Sequence, residues 1–573
     1  MSQSNAPSKD FDVIVVGSGM SGGWAAKEFC ERGMKTLVIE RGKPTRPGQD
    51  YLGEFKEPWD MEFRDQVNPQ LADSDYPVQS QCYAFRESTR NFFINDRENP
   101  YTTPEDAPFL WLRGDQVGGK SLMWARQSYR WSDTDFSANK ADGHGNDWPI
   151  RYSDIEKWYS YVERFVGISG SYEGLPQLPD SEFQPPMEMT CVEQAAKAGI
   201  EAAFPDRRFM IGRAAHLTAP TEEQMALGRG ACQFRNQCER GCSFGAYFSS
   251  VAATLPAAER TGNMTLATDS IVERILHDPA SNRATGVRVV NRATGERQDI
   301  GAGLIFLCAS TAGTLQVMLN STSEVHPNGF ANSSGVLGQF VMDHHHRVGA
   351  QGRMPGFEDR YYAGRRPNGT YLARYTNLDN QTDGEFLRGF AYQGNSERPS
   401  WTRALGGDEF GASLKEKLRQ PGDWWISLQA FGEHLPMAHN KITLNANKTD
   451  KFGIPQLHFD VRWGENERKM RIAMKSDAAA MLEAAGAVDI EAFEQETIPG
   501  ICIHEMGGAR MGNDPSESVL NSYNQCHDVP NVFATDGSAF ASVACQNPSL
   551  TFMALTARAV DFAAGKMKEG TLA

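Results

Sequence analysis

Apolar positions along this chain follow two regimes. Near the start, Val13 to Val16 is an unbroken β-branched run, which predicts a strand buried on both faces. Thr36 to Ile39 predicts a second buried strand, and between them Trp24 to Arg32 has helical character with Gly33 placed as its C-cap. Leu304 to Ser321 repeats the pattern of apolar strand, small-residue turn and helix, as a later strand of the same sheet would. Met264–Leu266, Ile271–Leu276 and Thr285–Asn291 also read as strands, and Tyr152–Val166 and Phe248–Ala258 as helices. From Gly349 to Trp463 the pattern changes. Alternating runs (Thr370–Tyr375, Trp425–Phe431, Lys441–Leu444, Gln456–Val461) separated by Gly, Pro, Asn and Asp predict an antiparallel sheet. Glu465 to Ala485 has helical period, with Met470, Ile472, Ala473, Ala478, Met481 and Leu482 on its apolar side and Gly486 just past its end. Val529 to Gly537 is strand-like again, and an Ala-rich helix begins near Thr551.

The turn after the first strand carries chemistry. Gly17, Gly19 and Gly22 stand in the spacing G-x-G-x-x-G. The first allows a tight turn, the second lets backbone approach a pyrophosphate, and the third lets the helix pack close to the strand. A helix that starts in this loop aims its free N–H groups and positive dipole end at the phosphates. Glu40, roughly 20 residues on, is placed to accept hydrogen bonds from ribose hydroxyls. Strand, glycines, helix, strand and terminal carboxylate in this order predict a dinucleotide site. Gly118-Gly119 followed by Ser121 is a second place where backbone can approach a ligand closely.

These elements predict an α/β chain. A Rossmann-type nucleotide-binding lobe is assembled from residues 1–48, 108–135, 255–345 and 500–573. A substrate lobe on a mainly antiparallel sheet, residues 346–499, is inserted in it. Residues 49–107 are polar, Pro-rich and aperiodic, yet rich in aromatics, and read as an ordered arm or lid. Residues 136–254 read as an irregular helical segment with a Cys-rich loop.

Charge narrows the partners. Lys+Arg of 57 against Asp+Glu of 72 gives −15, which argues against nucleic acid. No apolar run reaches the ~18–20 residues of a membrane span. The opening MSQSNAPSKDF lacks an apolar stretch, so no secretory signal of the chain's own is expected.

Four segments then align with one family. GSGMSG with Glu40, GGKSLMW, HEMGGARMG (His504–Gly512) and TDGSAFASVACQNPSLT (Thr535–Thr551) resemble, in this order, the glucose–methanol–choline (GMC) oxidoreductases. Within that family the chain is similar to the glucoside 3-dehydrogenases and the large subunit of bacterial FAD glucose dehydrogenase. The resemblance implies FAD as the dinucleotide, with Asp536 and Gly537 meeting it and Val272 contacting the adenine through its backbone. It implies His504 as the catalytic base and Asn547, before Pro548, as its partner. Removing a hydroxyl proton while a hydride leaves for the flavin calls for such a near-neutral imidazole. Leu122-Met123 stand where some members carry a flavin-linked histidine, so the flavin is expected to be non-covalent. His344, His345 and His346 look like a metal tract, but consecutive strand residues point to opposite faces; a segment at the lobe boundary is the preferred reading.

Cys232, Cys238 and Cys242 stand at C-x5-C-x3-C with no histidine nearby in sequence, which fits a structural zinc site poorly. Three thiolates in one loop suit a [3Fe-4S] cluster, and the resemblance implies one here. The other seven cysteines read as small buried residues.

The function expected is an FAD-dependent dehydrogenase acting on a secondary hydroxyl of a sugar or glycoside, C3 of a glucoside first. Electrons would leave through the cluster to a c-type cytochrome or other acceptor. Oxidation of a free aldose at C1 or C2, or of a polyol, by a dehydrogenase or an oxidase is the alternative; a non-catalytic flavin electron-transfer subunit is the alternative of another class. Relatives pair with a small subunit bearing a twin-arginine signal, which implies periplasmic location by co-export, with a cytoplasmic location as the alternative.

Overall fold

The computed structural model describes residues 9–360, 366–378, 384–398, 410–495 and 497–572. Its centre is β1 (Lys9–Val16), whose Val13, Ile14 and Val15 have no exposed surface. It lies between β2 (Thr36–Ile39) and strand Arg297–Leu307, parallel to both, with Val13 opposite Thr36 and Leu304. Met264–Ala267 continues the parallel order beyond β2, and Val532–Ala534 lies parallel to Arg297–Leu307 on its other side. Two further strands, Arg283–Asn291 and Ser270–Asp278, extend the sheet in antiparallel sense. The apolar runs that predicted double-sided burial thus form the buried middle of a seven-stranded sheet.

Helix α1 (Met20–Glu31) packs on this sheet and against the C-terminal helix Ser549–Lys568. It starts at Met20, inside the glycine loop, one turn earlier than the predicted Trp24. Gly17 has φ +98°, and a Cβ there would meet the Cys308 carbonyl oxygen at 2.5 Å. A Cβ on Gly22 would lie 1.9 Å from the Gly17 carbonyl oxygen. Only glycine lets the helix begin so close to the turn. The predicted helix Phe248–Ala258 is reduced to Thr254–Arg260. Its first residues serve as a clasp instead: Ser250 N–H donates to Ser121 Oγ (3.1 Å), and Ser250 Oγ donates to the Ser18 carbonyl (2.8 Å).

The second sheet has six strands in the order Val488–Glu494, His345–Met354, Trp424–Gly432, Phe390–Glu397, Thr370–Leu372, Phe209–Ile211, every neighbouring pair antiparallel. The edge strand Phe209–Ile211 comes from the segment read as irregular. Helix Glu465–Ala484 covers this sheet with Met470, Met474, Ala478, Met481 and Leu482 buried. Ile472, expected on that side, is 68% exposed, because the buried stripe runs through 470, 474, 478 and 481–482 at close to helical period. Lys441–Thr449 and Pro455–Asp460 pair with each other as a two-stranded sheet, and Phe459 stacks on Phe109 with ring centroids 4.6 Å apart. No helix among the described residues is long and apolar enough to cross a membrane.

Gly22→Ala tests the close approach. The clash with Gly17 is backbone on backbone, so a loss of about 3 kcal/mol or more is expected, with no FAD retained after purification. Gly19→Ala is the contrast: its Cβ would meet only the Gly118 carbonyl oxygen, at 3.8 Å. That variant is expected to melt like the parent without ligand and to bind FAD more weakly.

Candidate active site

One cavity of about 390 Å³ is walled by both lobes. From the nucleotide lobe come Gly17, Gly19, Glu40, Gly119, Ser121, Val272, Asp536 and Gly537; from the C-terminal motifs, His504 and Asn547. Gly22, Gly118 and Pro548 lie behind this wall. Gly22 serves the helix packing already described. Gly118, at φ +93°, donates its N–H to Ser18 Oγ (2.9 Å) and accepts from Ser121 Oγ (2.6 Å), tying the two glycine motifs together. Pro548 caps the C-terminal helix.

The wall fits a dinucleotide by its donors and acceptors. Gly19, the N-cap of α1, makes no side-chain cap, so the leading N–H groups of the helix face the cavity with Gly19, Met20 and Ser21 in its wall. Glu40 accepts from Ser18 N–H (3.1 Å), Ser18 Oγ (2.6 Å) and Gly42 N–H (2.9 Å). Burial raises its carboxyl above the usual range and those three bonds oppose the shift. A carboxylate offers about four lone-pair positions, so one is left for a ribose hydroxyl. Asp536 is held by Thr314 Oγ1 (2.6 Å) and by Ser538 N–H (3.0 Å) and Oγ (2.7 Å).

The hydrogen-bonded groups of the C-terminal motifs converge on His504. Its Nδ1 is 2.7 Å from His344 Nδ1, and His344 Nε2 donates to the Ala544 carbonyl. Because a carbonyl only accepts, His344 carries its proton on Nε2, and its Nδ1 accepts. His504 then carries its proton on Nδ1, and its Nε2 presents a lone pair. Asn547 Nδ2 is 3.4 Å from that Nε2, and Asn547 Oδ1 accepts from Gln393 Nε2 (2.7 Å), which fixes the amide the right way round. Burial, then the neighbouring His344, His346 and Lys120, holds His504 well below the ordinary histidine value. His344 is pushed down to about 4, mainly by burial. Both imidazoles rest neutral. Asp343 positions the loop beneath them, accepting from His504 N–H (3.1 Å) and Gly500 N–H (2.8 Å).

His344, Cys502 and His504 place their ligand atoms within 4.8 Å of one another. A separation of 2.7 Å between the two Nδ1 atoms is that of a hydrogen bond. Two ligands of one zinc ion, each ~2.0–2.1 Å from it in tetrahedral geometry, stand farther apart. His344 and Asp343 are the functional residues that the sequence reading missed; the tract signalled them, but not their roles. Alternation does place His346 in the cavity wall, stacked on Phe431, and sends His345 against Trp463. On strand Trp424–Gly432, Gln429 reaches the wall, while Glu433, just past the strand, is buried in an ion pair with Arg374 (2.9 Å).

Cys232, Cys238 and Cys242 line a second, small cavity of about 20 Å³. It also contains His216, whose Nε2 lies 3.4 Å from Cys238 Sγ. A histidine does therefore stand beside the cysteines, brought by the fold from outside their loop.

Residues 11–346 and 436–556 match the N- and C-terminal sequence models of the GMC oxidoreductases. Among curated relatives, 2-methyl-1,2-propanediol dehydrogenase of Mycolicibacterium austroafricanum is 27% identical, over 96% of this chain and 94% of its own. The fructose dehydrogenase large subunit of Gluconobacter japonicus is 24% identical over 98% of both chains. Paromamine 6'-oxidase of Streptomyces fradiae is 25% identical, over 97% of this chain and 92% of its own. The fold is also that of pyridoxine 4-oxidase from Mesorbium loti, with TM-score 0.58, 13% identity, and 97% and 99% of the two chains covered. With a neutral histidine beside an oriented amide, a dinucleotide cradle in the same cavity and both family models matched, the chain belongs to the GMC oxidoreductases, FAD-dependent enzymes that act on CH–OH groups.

Proposed function

We propose that this enzyme is a dehydrogenase that converts a secondary hydroxyl of a sugar or glycoside, C3 of a glucoside first, to a ketone. The observation that carries the reading is the oriented His504–Asn547 pair, set in a wall that also presents the amides of Gln393 and Gln429. Amides that both donate and accept suit a polyhydroxylated substrate. The choice of C3 rests on the resemblance of His504–Gly512 and Ala544–Thr551 to the glucoside 3-dehydrogenases. Two of the relatives bear the names of a fructose and of a diol dehydrogenase, which fits the wider substrate class.

In this reading His504 Nε2 takes the hydroxyl proton while Asn547 Nδ2 donates to the same oxygen. His344 keeps the accepting nitrogen aimed at the substrate. FAD, when bound, supplies the hydride acceptor. Gly19, Glu40, Gly119, Ser121, Val272, Asp536 and Gly537 would hold it, without a covalent link.

Cys232, Cys238 and Cys242 are assigned here to an iron–sulfur cluster of the [3Fe-4S] type, which would supply a one-electron relay. The resemblance carries this assignment, and all three cysteines line one cavity. Outside that loop, Phe55 (70% exposed) and Phe244 (38%) flank Arg235 on a face suited to a protein partner. A small subunit and a c-type cytochrome are the partners proposed, as is co-export with the former to the periplasm; the Gluconobacter relative is itself named a large subunit.

The test is anaerobic mixing of the purified enzyme with methyl β-glucoside, followed by flavin absorbance, with the product carbonyl located by NMR. A bleached flavin and a 3-keto product are expected; bleaching by free glucose alone would move the oxidised carbon to C1 or C2. His504→Ala is expected to retain FAD and to slow flavin reduction by about 10²–10⁴-fold. Since His504 already rests neutral, the parent's rate is expected to stay level from pH 8 down through pH 6.5, and an acid limb centred at pH 6.5 or above would contradict that assignment. His344→Leu removes the acceptor for Nδ1–H and is expected to slow reduction on the order of 10²-fold or more. His344→Gln, which keeps an acceptor, should recover part of it. Cys238→Ser is expected to leave substrate bleaching intact and to abolish reduction of a cytochrome acceptor.

A further inference from the structure

His216 belongs to no motif, yet it is buried (1% exposed) and directed at the cysteine cavity from 22 residues upstream of Cys238. Its Nε2 stands 3.4 Å from Cys238 Sγ, within reach of an N–H···S bond. Its Nδ1 is buried with no partner among the described residues. A neutral imidazole places its proton on one nitrogen only. A proton on Nδ1 would bury an orphaned N–H and leave Nε2 without a hydrogen for the sulfur. A proton on Nε2 finds an acceptor and leaves only a lone pair unpartnered, the less costly of the two.

The fold holds the ring in place. His216 pairs across an isolated bridge with Tyr247, and their rings meet edge to face with centroids 5.9 Å apart. Tyr247 Oη donates to the Trp124 carbonyl (3.1 Å), and Trp124 is part of the wall of the main cavity. Arg126, also in that wall, lies over the Tyr247 ring at 5.3 Å. The imidazole is thus clamped between the cysteine loop and the wall of the flavin cavity.

We infer that His216 donates its Nε2–H to the sulfur of Cys238 and thereby raises the reduction potential of the iron–sulfur cluster held by Cys232, Cys238 and Cys242. This rests on the cluster reading given above. Hydrogen bonds to ligand sulfur offset negative charge there, and the reduced cluster, one electron more negative, gains most from them.

The experiment begins with iron and acid-labile sulfide analysis and EPR of the parent holoenzyme, followed by an EPR-monitored redox titration. His216→Phe keeps a ring against Tyr247 and removes the donor; His216→Gln keeps an N–H. Expected are unchanged iron content, unchanged bleaching of the flavin by substrate, a lower cluster midpoint in the Phe variant and a midpoint nearer the parent in the Gln variant. Equal midpoints in the parent and both variants would overturn the donor role while leaving the cluster in place. Loss of iron from both variants with FAD retained would overturn it in favour of His216 as an iron ligand. A parent without iron or sulfide would overturn the cluster reading and, with it, this one.

Discussion

No atom fits where a Cβ of Gly22 would stand, 1.9 Å from the Gly17 carbonyl, and the nucleotide lobe is arranged around that constraint. Because both positions are glycine, α1 begins within the turn and lies close on the central strand. Its first N–H groups then open into the cavity with no side chain to cap them. The loop is also the hub of a hydroxyl network. Ser18 bonds Glu40 on one side and receives Gly118 N–H on the other, while Ser250 closes on its carbonyl. Three distant segments are thereby held against the same few backbone atoms. A dinucleotide site of fixed shape follows from packing rather than from any strong single contact.

The second fixed point is Asp343, at the end of the nucleotide lobe and just before the strand His345–Met354 opens the other sheet. Its carboxyl, wholly buried and raised to about 7 by burial and by Glu505, bridges two backbone N–H groups of the 500–504 loop. His344, next in the chain, then meets His504 from 160 residues away. One turn of chain thus does two jobs: its carboxylate holds the loop, and its imidazole sets the tautomer of the residue the loop presents.

Much of this was legible in the sequence because it is encoded locally. Buried strands announce themselves as β-branched runs, a phosphate loop needs its glycines at fixed spacing, and Tyr152–Val166 shows its helical period over its whole length. The misreadings have a common cause. Phe248–Ala258 has helical composition, but Ser250 spends its N–H on Ser121 and its hydroxyl on the carbonyl of the glycine loop. Phe209–Ile211 is too short to signal a strand, and its partner Thr370–Leu372 is remote. The candidate site divides in the same way. His504 and Asn547 sit in motifs, whereas His344, Gln393 and His216 acquire their roles only through neighbours that the fold supplies.

A histidine in the position of His344 has an energetic consequence. A carboxylate accepting from His504 Nδ1–H would stabilise the imidazolium and make a stronger base, but it would bury a net charge at a cost of several kcal/mol unless fully compensated. It would also hold His504 protonated over more of the pH range, and so unable to accept a proton. His344 gives orientation without charge. Its Nδ1 is a directed acceptor, its own proton is committed to the Ala544 carbonyl, and its low basicity keeps that arrangement from reversing. The base is weaker as a result, and the protonated form that follows substrate oxidation gains little from its neighbours, since His344, His346 and Lys120 all disfavour it. In the mechanism proposed, such a base is free to accept the hydroxyl proton and gives it up readily. The same burial that depresses His504 would then prepare it for the next turnover.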